Sequence, residues 1–289
     1  MNATIKKIRD YFSLVKFSHT VFALPFALIG FTLASTSGSY PFSIRLLVLI
    51  LLCMVFARNA AMGFNRYADW RFDALNPRTA GREIPAGRIN KNAAAVFVIV
   101  NAILFIVAAG FINKLTLILS PVALIIILGY SLTKRITALC HFILGLGLSL
   151  APIGAYISVT GKFEVLPLIY SFIVLTWVSG FDIIYALQDD EFDRTNMLHS
   201  IPSLAGRKGA IIISLAVHIL TAALVISAGL AGNGGWLFWT GAALFILLLT
   251  YQHLIVKPGD ISRVNLAFAT TNGIASIVFA SFVILDKLV

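Results

Sequence analysis

The chain is 289 residues long, 59% apolar and only 12% charged, with a mean hydropathy of +0.94. An ordinary soluble domain is about 45–50% apolar and about 25% charged, so a soluble globular enzyme, a disordered chain and a nucleic-acid-binding domain are all excluded. The net charge of +10 then reads as membrane orientation rather than a polyanionic partner, and what matters is where the basic residues fall.

A hydrocarbon core needs about 20 consecutive apolar residues per helix. That requirement is met nine times, near 14–36, 46–65, 93–112, 115–132, 138–159, 165–187, 210–230, 235–256 and 264–285. The first stretch follows Lys6, Lys7, Arg9 and Lys16; it is too long for a signal-peptide core and reads as an uncleaved helix. Two longer polar loops lie at about 66–92 and 188–209. No low-complexity linker divides the chain, so 1–289 reads as a single membrane domain. Cys53 and Cys140 each sit inside an apolar stretch, which implies no disulfide framework. With the N-terminus in the cytoplasm, eighteen of the 22 Lys and Arg residues lie on that side, leaving Arg45, Lys114, Lys162 and Lys287 outside. The asymmetry supports an odd number of spans and puts both long loops in the cytoplasm.

Eight of the twelve acidic residues cluster in two regions. Span 2 runs into NRYADWRFDALNPRTAGREIPAGR, with Asn65, Asp69, Asp73 and Glu83. Span 6 runs into DIIYALQDDEFDRTNMLHSIPSLAGR, with Asp182, Asp189, Asp190, Glu191 and Asp193. Carboxylates near hydrocarbon are functional candidates. Asn65, Asp69 and Asp73 are four apart, one face of a continuing helix, and Arg58 extends the stripe. Asp182, Tyr185, Asp189 and Asp193 are spaced three, four and four, again a single face. The plain alternative is two solvated helix ends whose acids pair with nearby arginines. Against it stands an internal repeat: Asp69 to Asp189 and Asp73 to Asp193 are each 120 residues, Ile84-Pro85 recurs as Ile201-Pro202, and Gly87-Arg88 as Gly206-Arg207. Four spans separate the copies, so both stripes end on one membrane side. The expected fold is an all-α membrane protein of two parallel four-helix repeats plus a ninth helix, around a central cavity.

Two oxygen-rich stripes facing each other suit Mg²⁺ and a substrate phosphate. Arg78 and Arg82 follow the first stripe, Arg207 and Lys208 the second, and Lys134-Arg135 closes span 4 on the same side. Such cations would neutralise a diphosphate leaving group as its carbon–oxygen bond breaks, and an apolar cavity would take its tail. A secondary transporter with an acidic cation site is the rival from another class. A CDP-alcohol phosphotransferase would need an Asp-Gly-x-x-Ala-Arg signature that the chain lacks.

NRYADWRFD resembles the Asn-x-x-x-Asp-x-x-x-Asp motif of the UbiA family of membrane prenyltransferases, and DIIYALQDDEFD resembles its second motif, Asp-x-x-Tyr-Ala-x-x-Asp-x-x-x-Asp. The YSLTKR segment after span 4 extends the likeness over essentially the whole chain. The resemblance implies Mg²⁺-dependent transfer of a polyprenyl group from its diphosphate to a ring carbon of a small aromatic acid. It assigns Asn65, Asp69, Asp73, Asp189 and Asp193 to the metals. Arg58, Tyr130, Ser131, Lys134, Arg135, Asp182 and Tyr185 match further polar positions around the pocket. Phe64, Tyr130 and Tyr185 are candidates to face an allylic cation; Asp182 orients the acceptor or acts as base. His141, His218 and His253 read as packed or interfacial, whereas His19 and His199 lie where an acceptor could touch them. NPRTAGREIPAG and LQDDEFDRTNMLHSIP look most like the 4-hydroxybenzoate polyprenyltransferase branch or its menaquinone-pathway relative, MqnP, which uses 1,4-dihydroxy-6-naphthoate. That likeness implies a bacterial inner membrane, with the active site on the cytoplasmic side. Trp70 and the Leu198–Pro202 loop depart from common members and leave the acceptor open. Nothing in the sequence specifies an oligomeric state.

Overall fold

The computed structural model describes residues 3–15 and 22–289; His19 and Lys16 lie outside the described residues. After an N-terminal helix, α1 (Ala3–Leu14), come α2 (Leu24–Ser35), α3 (Ile44–Leu75), α4 (Lys91–Gly110), α5 (Lys114–Thr133), α6 (Cys140–Thr160) and α7 (Val165–Tyr185). A 3₁₀ turn (Ala186–Asp189) joins α7 to α8 (Asp190–Thr195), and α9 (Ile201–Ala231) and α10 (Trp236–Ile255) follow. A π-helical turn (Leu266–Thr271) opens α11 (Asn272–Leu288). Eight of the described helical segments are long and apolar enough to cross a membrane, and α2 is a ninth, shorter apolar helix. The chain is an integral, multi-pass membrane protein.

Burial separates the helices by role. Before its last turn, which carries Asp182 and Tyr185, α7 is mostly apolar, and it packs against α6 and α9 with Trp177, Ile173, Val174 and Val178 fully buried, as expected of a helix inside a bundle. α3, α4 and α5 instead turn large aliphatic residues outward, among them Ile99, Ile103 and Ile125, the surface that lipid covers. Close approach depends on glycine at two places. A Cβ on Gly30 of α2 would strike the Pro152 carbonyl of α6, and one on Gly145 of α6 would strike the Leu175 carbonyl of α7.

The motif-bearing ends differ from their sequence reading in instructive ways. α3 has 32 residues, about 48 Å at 1.5 Å per residue, longer than the roughly 30 Å hydrocarbon core. Its last turns, carrying Asn65, Asp69 and Asp73, therefore reach the interface. It stops at Leu75 because Pro77 drives Asn76 out of the helical region, to φ −88°, ψ 118°. The expected loop at 66–92 thus contracts to the turns between Asn76 and Asn90. The expected loop at 188–209 is largely helical: the 3₁₀ turn and α8 fill its start, and α9 begins at Ile201. A capping box between Ser200 and Ser203, with Pro202 in the first turn, starts α9 early.

The repeat is visible in the backbone. Gly87 and Gly206 have φ of +70° and +69°, a region that favours glycine. Ile84 and Ile201 are both buried. In the second copy Gly206 interrupts α9 itself, with ψ 171°.

Candidate active site

The C-terminal ends of α3 and α7 meet over a cavity of about 620 Å³ lined by parts of α3, α5, α6, α7 and α8, by Phe105 of α4, by Phe22 and Ala23 before α2, and by the turns after α3, α5 and α7. Asn65, Asp69, Asp73, Asp182, Tyr185, Asp189 and Asp193 all line it, so both motifs converge on one space. In the second motif the 3₁₀ turn, three residues per turn, replaces the uninterrupted α-helix. Asp182 and Tyr185 close α7, Asp189 ends the tight turn and Asp193 sits in α8. The four still share the cavity.

The ion pairs are one to one. Arg82 Nη1 lies 2.6 Å from Asp73 Oδ1, Arg135 Nη2 3.0 Å from Asp69 Oδ1 and Lys134 Nζ 2.7 Å from Asp193 Oδ1, and Arg78 grips both oxygens of Asp189. Three of these pairs join elements distant in sequence: the turn after α3 holds the 3₁₀ turn after α7, and the turn after α5 holds both α3 and α8. Asn76 Nδ2 adds a hydrogen bond of 3.0 Å to Asp189 Oδ1. The acids do pair with nearby cations, as the plain alternative held, but within a shared cavity rather than on two separate solvated ends. Burial opposes the charge on Arg78, yet Asp189 and Tyr185 outweigh it and hold its guanidinium above the usual arginine range. Burial likewise opposes the Lys134 ammonium, and Asp193 overrides it, raising that group too.

The donor chemistry at this mouth is carboxylate and amide oxygen, the set that Mg²⁺ prefers. Asp73 Oδ2 is buried with no hydrogen-bond partner, an orphan that a ligand would satisfy. Among the described residues no three His, Cys, Asp or Glu side chains converge as a closed metal site; basic groups occupy the space between the acids. The residues fit a divalent ion that arrives with a phosphate able to draw those cations off.

Away from the charges the cavity is apolar. It extends along α5 and α6 to Thr116, Ser158 and Phe163 at the opposite end of the bundle. Tyr130, Ser131 and Arg58 line it, and Arg58 Nη2 reaches the Val15 carbonyl at 3.5 Å. The Tyr185 ring stacks on Phe268 with centroids 4.0 Å apart, and the Arg78 guanidinium lies over the same ring, 5.5 Å from its centroid. The π-helical turn that carries Phe268 leads into Asn272, whose Oδ1 accepts from Trp177 and Gln252 and whose Nδ2 donates to the carbonyls of Ala267 and Phe268.

Several expected contributors lie elsewhere. Phe64 is not among the cavity residues and stacks on Tyr67 instead. Arg207 bonds Asp190 at 2.8 Å, so this pair is consumed outside the cavity, and Lys208 does not line it either. His199 is exposed and joins Lys134 only through its backbone. His218 and His253 pair with each other at 2.9 Å. One residue escaped the sequence reading, and a second does more than the packing expected of it. Arg66, 3% exposed on the cavity wall, donates to Asn65 Oδ1 at 3.1 Å; an arginine so near an apolar span was itself a signal. His141 of α6 lies 2.7 Å from Asp182, a contact that no spacing announces.

The profile of the UbiA prenyltransferase family matches residues 23–281. The chain is 28% identical over 236 residues to a 4-hydroxybenzoate octaprenyltransferase of Aliivibrio fischeri strain MJ11, covering 81% of this chain and 82% of that one. Its fold is similar to the apo structure of a UbiA homolog from Aeropyrum pernix K1, with a TM-score of 0.84 and 34% identity over 93% of this chain and 98% of the other. It is also similar in fold to a UbiA homolog from Archaeoglobus fulgidus bound to GPP and Mg²⁺, with a TM-score of 0.72 and 22% identity over 97% and 100% of the two chains.

Proposed function

The chain belongs to the UbiA prenyltransferase family, and from that membership and the cavity we propose that it moves a polyprenyl group from its diphosphate to a ring carbon of a small aromatic acid, 4-hydroxybenzoate or a close analogue, in quinone biosynthesis. The observation that carries this reading is the joining of both acidic motifs, with Asp69, Asp73, Asp189 and Asp193 each matched by a cation, at the mouth of one apolar cavity of about 620 Å³.

Asn65, Asp69, Asp73, Asp189 and Asp193 are the residues that would hold Mg²⁺. The ion supplies charge neutralisation on the diphosphate as the carbon–oxygen bond breaks. Arg78, Arg82, Lys134 and Arg135 are then released from their carboxylates to hold phosphate oxygens, an exchange of partners that keeps every charge compensated. The bond to the prenyl carbon breaks with its electron pair leaving on the diphosphate. The allylic cation so formed is shielded from water by the apolar wall and faced by the rings of Tyr130, Tyr185 and Phe268. A ring carbon of the acceptor supplies the electron pair for the new carbon–carbon bond, and the displaced ring proton passes to Asp182, restoring aromaticity.

The test is incubation of the purified protein in lipid with Mg²⁺, a labelled polyprenyl diphosphate and a panel of aromatic acids. Ring-prenylated 4-hydroxybenzoate is the expected product, and EDTA is expected to stop its formation. Product with none of the acids would overturn the reading. We also place the cavity mouth in the cytoplasm. A cysteine at the exposed Ala80 should then react with an impermeant maleimide in inverted vesicles only, and one at Lys162 in intact cells only. The opposite pattern would reverse the topology. Cys53 and Cys140, both buried and unpaired, give little background.

A further inference from the structure

His141 belongs to α6, two helical segments away in sequence from the first acidic motif and 41 residues before Asp182. Its ring is buried, 2% exposed, and both nitrogens are engaged. Nδ1 lies 2.7 Å from Asp182 Oδ2. Nε2 lies 3.2 Å from the backbone nitrogen of Ile201, which can only donate. Nε2 is therefore the acceptor, and the single proton of a neutral imidazole is on Nδ1, directed at Asp182. The N–H of Ile201 is one of the orphan donors in the first turn of α9, so the positive end of that helix faces Nε2 and opposes a second proton there. Ser179 Oγ, 3.2 Å from the His141 carbonyl, ties the backbone of α6 to α7 at the same level.

Resting on the prenyl-transfer reading above, we propose that His141 is the positioning residue for Asp182. It donates from Nδ1 to Oδ2, so that the carboxylate cannot swing toward Arg66 or the other cations and keeps its second oxygen turned to the aromatic acceptor. A carboxylate in a cavity also lined by Arg66, Arg78, Arg82 and Arg135 would otherwise join the ion-pair lattice, as the other four have done. Asp182 differs from them because its partner is a neutral ring anchored on a third helix, so diphosphate binding does not call that partner away. The acidic ladder thus divides by partner: four carboxylates on mobile cations for the headgroup, and one on a fixed imidazole for the acceptor.

Three comparisons test this with the full-length protein in lipid, Mg²⁺, a polyprenyl diphosphate and 4-hydroxybenzoate. His141→Leu is expected to lower kcat for transfer by about 10- to 100-fold, the range for removing an outer partner of a functional side chain, with KM for the diphosphate at its wild-type value. His141→Asn, which can place an amide donor near the position of Nδ1, is expected to recover most of the loss. In an Asp182→Asn background His141→Leu should cost nothing further, because residues acting as one unit are not additive. A Leu variant with full kcat, an Asn variant no better than Leu, or equal damage to kcat and diphosphate KM would each overturn the role. If neither variant folds, ¹⁵N-histidine spectra of the wild type decide. The His141 ring should show a protonated Nδ1 and a bare Nε2 at neutral pH, and an Nε2–H or doubly protonated ring would sink the assignment. Absence of product from the wild type with every aromatic acid would instead refute the prenyl-transfer reading itself.

Discussion

Asp69→Ala and Asp189→Ala should each reduce prenyl transfer by at least about 100-fold, the scale of losing one electrostatic contact to a developing anion, while leaving the protein inserted and folded. The two sites carry different structural burdens. Asp69 has a side chain 27% exposed and a single cation, Arg135, itself 36% exposed; removing the carboxylate frees a guanidinium that water can solvate. Asp189 is more buried and satisfies both Arg78 and Asn76, so its loss loosens the turn after α3 and lowers the thermal midpoint further than Asp69→Ala does. Despite that difference in stability, activity should fall equally, because each change removes one oxygen donor from one of two motifs that act on the same diphosphate. Addition of excess Mg²⁺ should restore part of the activity if the defect is in metal affinity. Full activity in either variant, with wild-type transfer insensitive to EDTA, would remove the metal from the reaction.

What the residues disclosed in advance, and what they withheld, follows from the geometry of a helix. Relations within one helix are written in spacing: Asn65, Asp69 and Asp73 lie one turn apart, and the 120-residue offset to Asp189 and Asp193 marks a duplication. Hydropathy likewise marks segments that must be helical because lipid offers no other backbone partner. Relations between helices leave no such trace. His141 to Asp182, Asn76 to Asp189 and Lys134 to Asp193 depend on which faces meet after packing. Local context also misleads where a basic residue has an equally near acid outside the site. Arg207 follows the second motif as Arg78 follows the first, yet it pairs with Asp190. The early start of α9 was legible in Ser200, Pro202 and Ser203, but the polar run LHSIPSLAGR read as loop because its apolar residues are sparse.

Lys134→Met should destabilise the protein by about 3 kcal/mol, the lower end for breaking a buried ion pair because lysine's side chain remains one-third exposed. Asp193 is fully buried, 0% exposed, and among the described residues its carboxylate meets Lys134 at 2.7 Å and the Ser200 hydroxyl at 2.8 Å. Methionine leaves the carboxylate with the hydroxyl alone. The thermal midpoint in detergent should fall accordingly, and Lys134→Met with Asp193→Asn should regain most of the loss, since the double variant no longer buries an unmatched charge. The lysine is held above its ordinary range in the folded chain. Its contribution to stability is therefore complete at neutral pH and fades only as pH rises through that elevated value. Neither variant should transfer prenyl groups, because both lose a side chain at the diphosphate mouth; stability and activity thus separate in the double variant. A single Lys134→Met change that leaves the midpoint at the wild-type value would show that water, rather than the ammonium, compensates Asp193, and the ring of matched charges would lose its role in holding α8 beneath the turn after α5.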